Sequence, residues 1–130
     1  FVVFGIAGAV LLSGAEQREM IQRSRLNLSV WAACDAGAQP SWGLPERCYG
    51  VPACGGFLLS DRRRHAAEDF APQERAEFAD LEDCVHRVRE FLAHPARARD
   101  IAERARARVR CDHGYRQRAA RLLDFARDVG

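Results

Sequence analysis

The tripeptide Phe57-Leu58-Leu59, entered through Gly55-Gly56 and left through Ser60-Asp61, is an apolar run with no alternation. Successive side chains of a strand point to opposite faces of the sheet, so such a run needs cover on both faces. That is the situation of a parallel sheet with helices on either side, not of a sheet with one wet face. Phe1-Val2-Val3-Phe4, closed by Gly5, makes the same demand. A chain of 130 residues is long enough for one core of this kind, burying roughly two-thirds of the unfolded surface. One domain over residues 1–130 is therefore expected. It opens inside an apolar run, and it reads as a piece of a longer two-domain protein.

Helix and strand signals alternate along the chain. Ser13-Gly14-Ala15-Glu16 has the spacing of a capping box and predicts a helix to about Arg23. Leu26, Leu28 and Val30 alternate with Asn27, Ser29 and Trp31, which is strand periodicity. Residues 32–45 form a long connection, a short helix follows over 46–53, and Pro52 limits its length. Glu77 to Ala79 is a weak strand candidate. Asp80 caps a helix whose Leu81, Cys84, Val85, Val88 and Leu92 form an apolar stripe. His94-Pro95 and then His113-Gly114 divide the remainder into two more helices. Ala98, Ile101, Ala102, Ala105 and Val109 form the inner face of the first, and Tyr115, Ala119, Leu122, Ala126 and Val129 that of the second. The order predicts an α/β fold, a Rossmann-like three-layer domain with a mainly parallel sheet and C-terminal helices.

In such sheets ligands bind beyond the carboxyl ends of the strands. The start of the helix at Glu46-Arg47 belongs there, and its first amides are expected to be unsatisfied donors beside a guanidinium, a combination suited to phosphate. Glu46 is placed to accept protons from sugar hydroxyls. Gly55 and Gly56 read either as the end of that helix or as a point where a ligand approaches closely. Arg62, Arg63 and Arg64, at the ligand end of the sheet, read as solvated loop arginines ahead of the alternative that they contact phosphates.

Composition excludes several classes. All 20 basic residues are arginine, and residues 96–130 hold 10 of them against 5 acids. Those arginines fill positions left over by an apolar helical stripe, so a solvated face is expected rather than a nucleic-acid surface. The 5 cysteines have no CxxC spacing, which argues against a zinc ribbon or disulfide framework and for a reducing, cytoplasmic setting. No metal site is expected. Residues 1–12 are apolar but shorter than the roughly 18 that a membrane span needs.

The run LPERCYGVPACGGFLLSD, with Leu26-Asn27 before it, Phe91-Leu92-Ala93-His94-Pro95 after it and His113-Gly114-Tyr115 with Arg118 near the end, resembles the C-terminal half of group 1 glycosyltransferases. Within them it is most similar to the bacterial branch that contains the CgeB-like spore maturation proteins. The resemblance implies the second half of a GT-B fold, which holds a nucleotide diphosphate sugar as substrate, without a cofactor or obligatory metal. The acceptor would belong to an N-terminal domain of the same protein. The residues it implies at the donor are Arg47 and Glu46, with Gly55 and Gly56 lining sugar and phosphates and Asn27, Ser41 and Asp61 as further polar contacts. One position departs from the family: the acid expected three residues after Arg47 is Gly50. Two other readings stay open, a non-catalytic Rossmann-like binding module and an Arg-rich nucleic-acid binder.

Overall fold

The computed structural model describes residues 13–30 and 43–130. The expected strand at Phe1 to Phe4, most of the long connection and Ser41 lie outside the described residues. The elements are α1 (Gly14–Arg23), β1 (Asn27–Ser29), α2 (Arg47–Ala53), β2 (Leu58–Asp61), α3 (Ala66–Asp69), a 3-10 turn (Pro72–Glu74), β3 (Ala76–Phe78), α4 (Leu81–Ala93), α5 (Pro95–Asp112) and α6 (Tyr115–Val129). The three strands pair in the order β1-β2-β3, all parallel. Leu28, Leu59 and Ala76 are in register, as are Ser29, Ser60 and Glu77. This is an α/β, Rossmann-like arrangement, as the apolar run at Phe57 demands.

Both faces of β2 are covered. Phe57 meets Phe91 of α4 with ring centroids 4.7 Å apart, and Leu59 on the same face is completely buried. On the other face Leu58 and Ser60, with Cys48 and Pro52 of α2 and Ile101 and Ala105 of α5, line a void of about 30 Å³, room for about one water molecule. Ala98, Ala102, Ala105 and Val109 of α5 are all buried, so its expected stripe is the one that packs. The small alanines let α5 lie close to α2.

Local chemistry sets the helix ends. Ser13 and Glu16 form the capping box at α1, and Asp80 Oδ1 accepts from the Asp83 amide at α4. At the end of α2, Gly55 takes a φ of 86°. Its amide donates to the Pro52 carbonyl, and the Gly56 amide to that of Val51. That double bond pattern with a left-handed residue is the Schellman motif.

Two expectations need correction. The α4 stripe is rotated: Cys84 and Phe91 are buried, whereas Leu81, Val85 and Leu92 are exposed. The ring of Phe91 is what Phe57 selects. The apolar face of α6 is exposed along its whole length, so it contributes no core among the described residues.

Candidate functional site

Arg47 begins α2 and reaches the carboxyl end of β1. Its Nε donates to Ser29 Oγ at 2.6 Å, and its Nη2 lies 3.5 Å from the Val30 carbonyl oxygen. Ser29 is the last residue of β1 and is 1% exposed, so the guanidinium is anchored to a buried hydroxyl at a strand tip. Beside it, Asp61 ends β2 and pairs with Arg63. Arg63 is buried while its neighbours Arg62 and Arg64 are exposed, which corrects the expectation that all three are solvated. Cys48 lies among these charges. Burial is the main reason its thiol is pushed up to about 11, against the pull of Arg47 and Arg63, so it is no nucleophile at neutral pH.

The amides at the start of α2 are not the open donors that the sequence suggests. Those of Cys48 and Tyr49 donate to the carbonyls of Pro45 and Glu46, both at 2.9 Å. The tight turn through Pro45 uses these two, and the Arg47 side chain stands at the same helix start. The Glu46 carboxylate folds along the turn. A β-carbon added to Gly50 would lie 2.6 Å from Glu46 Oε1, so the carboxylate occupies the space into which a side chain at position 50 would grow.

Asn27, Gly55 and Gly56 sit at the opposite, amino ends of the strands and are engaged in structure. The Asn27 side-chain amide donates to the carbonyls of Ile21 and Phe57. A β-carbon on Gly56 would lie 2.5 Å from Ile21, 2.9 Å from Asn27 Nδ2 and 3.0 Å from Val51. Gly55 closes the helix. The structure therefore gathers Arg47 and Asp61 around Cys48, leaves the Glu46 carboxylate against Gly50 on α2, and separates them from Asn27, Gly55 and Gly56. It adds Ser29 and Arg63, whose signal in the sequence was only their place at strand ends. A larger concavity, about 290 Å³, lies at the other side against α5, where Arg108 already binds Glu74 and Asp112.

A second polar cluster ties the helices together behind α2. The Tyr49 hydroxyl donates to Asp69 Oδ2, His65 Nε2 lies 3.2 Å from the same oxygen, and His113 Nε2 lies 3.1 Å from the Asp69 carbonyl oxygen. The Arg118 guanidinium stacks on the Tyr49 ring, 4.3 Å from its centroid, which fixes the start of α6. Burial first, then the bond to Asp69, raise the Tyr49 phenol above its ordinary value. The folded state thus holds this proton more tightly than the unfolded one. The stability involved is complete below about pH 10 and is lost as pH rises above it. Thermal melts should fall as pH is raised from about 9.5 to 11, and Tyr49→Phe should fall less steeply. The Cys48 thiol, also raised, adds the same slope to both proteins. Identical slopes would refute the assignment.

Among the described residues no group of His, Cys, Asp and Glu is placed to hold a metal ion, and no helix is long and apolar enough to cross a membrane. A family model described as glycosyl transferase-like matches residues 4–124. No curated protein and no solved structure matches the chain.

Proposed function

The chain belongs to the glycosyl transferase-like family, and we propose that this domain holds the activated donor, a nucleotide diphosphate sugar, at the tips of β1 and β2. The observation that carries the proposal is Arg47, anchored on Ser29 at the end of β1. A guanidinium matches the oxygens of a diphosphate in a way that an ammonium does not. Bond cleavage at the sugar leaves negative charge on the departing diphosphate, and a cation already fixed in place stabilises that charge in the transition state without reorganising.

Glu46 accepts hydroxyl protons of the donor's ribose in this scheme. Its carboxylate lies over Gly50, so the missing acid at position 50 is answered from one turn earlier. The acceptor and the base that activates it would come from a partner domain of the same protein, working in the cytoplasm. The scheme requires no cofactor or metal, because the guanidinium supplies the positive charge.

Calorimetric titration of the full-length protein with UDP-, GDP-, TDP- and ADP-sugars tests this. One nucleotide class should bind with 1:1 stoichiometry, and Glu46→Gln should weaken it by about tenfold, the worth of a charged hydrogen bond. No binding to any of them would favour a non-catalytic module. Binding to DNA or RNA that weakens steeply with salt would favour the nucleic-acid reading.

A further inference from the structure

We propose that Arg63 is a positioning residue: from beneath the tip of β2 it fixes the Asp61 carboxylate so that one oxygen faces a hydroxyl of the sugar being transferred. The inference rests on the donor-binding reading above and assigns the sugar to a different strand tip from the diphosphate.

The Arg63 side chain is 4% exposed and that of Asp61 is 24% exposed. Nη2 of Arg63 donates to Oδ2 of Asp61. Both partners are held by the backbone. Asp61 is in register with Phe78 of β3, and the Arg63 carbonyl accepts from the Ala66 amide, 3.2 Å away, where α3 begins. Neither end of the pair can drift far.

Burying a guanidinium costs several kcal/mol, and replacing such a pair with apolar residues is often neutral or stabilising. Stability alone is thus a poor reason for an arginine here. An ionised carboxylate with one oxygen engaged is an acceptor only, so it repels a diphosphate and attracts hydroxyls. Ser29, which anchors Arg47, is in register with Ser60, the residue before Asp61. Adjacent strands lie about 4.8 Å apart, so the two tips are neighbours along the carboxyl edge of the sheet. Asp61 follows Ser60 and is in register with Phe78, so the hydroxyl acceptor at the β2 tip reaches that edge from the face opposite Ser29.

The test uses the full-length protein and calorimetry with UDP, GDP, TDP and ADP, each alone and as UDP-glucose, UDP-N-acetylglucosamine, GDP-mannose, TDP-glucose and ADP-glucose. The conjugate that binds wild type most tightly is compared with its own diphosphate. Asp61→Asn and Arg63→Met should each weaken the conjugate about tenfold and the bare diphosphate less than about twofold. The double variant should be no weaker than either single one, because Arg63 acts through Asp61. Arg63→Lys should recover part of the loss. Equal weakening of diphosphate and conjugate overturns the inference, as does additivity in the double variant. So does a conjugate that gains nothing over its diphosphate, or one indifferent to Asp61→Asn. If Arg63→Met fails to fold by thermal melt, Asp61→Asn carries the same comparison alone. A wild type that binds neither form sinks the donor reading itself, an outcome separate from all of these.

Discussion

Gly56→Ala is expected to cost the fold about 3 kcal/mol or more, the upper range for forcing a methyl group into a packed interior. The added carbon would meet Ile21 of α1, Asn27 of β1 and Val51 of α2 at 2.5–3.0 Å, so three elements would have to part at once. Domains of this size are stable by only about 5–15 kcal/mol, so the loss should be plain as a lowered urea midpoint with little change in slope. Two neighbours provide the scale. Gly55→Ala forces alanine into the left-handed region, with φ at 86°, and should cost about 1–2 kcal/mol. Gly14→Ala meets nothing within 4 Å and should not destabilise, since alanine is the better helix residue. A Gly56→Ala protein within about 0.5 kcal/mol of wild type would contradict the packing described.

Arg47→Ala should give the largest functional effect. Removing one side of a charge-assisted contact costs about 1.5–3 kcal/mol or more, which is at least tenfold in dissociation constant. Arg47 also positions itself through Ser29, so Ser29→Ala should weaken nucleotide binding less than Arg47→Ala does, loosening the guanidinium without deleting it. Arg47→Lys keeps the charge and loses the planar fork, and should fall between the two. Calorimetry on the full-length variants reads all three. Equal affinities for wild type and Arg47→Ala would remove Arg47 from the site.

How much of this was legible in the sequence follows from how local each signal is. The capping box at Ser13 and Glu16 and the Asp80 cap involve residues within one turn, and they stand where the spacing puts them. The unbroken run at Phe57, followed by helical segments able to cover both faces, was enough to favour a buried parallel strand. The α5 stripe was readable for the same reason: only one of its faces is apolar. The apolar arc of α4 is broader than its contact, so periodicity could not choose between Phe91 and Leu92, and the Phe57 ring made the choice.

The candidate site was harder to read because it depends on which end of a strand a residue occupies. Gly55-Gly56 could end a helix or admit a ligand; the Schellman bonds and the crowding around Gly56 assign both to structure. Arg62, Arg63 and Arg64 are alike in sequence, and only the geometry beyond β2 buries the middle one. The first amides of α2 read as open donors, and the Pro45 and Glu46 carbonyls close those of Cys48 and Tyr49. Gly50 looked like a lost carboxylate, and the neighbouring Glu46 fills its space.

The most direct test of the central claim is a crystal structure of the full-length protein with the nucleotide diphosphate that binds it best. The account predicts the diphosphate within hydrogen-bonding distance of the Arg47 guanidinium at the carboxyl tip of β1. A diphosphate seated elsewhere, out of reach of the Arg47 guanidinium, would contradict it.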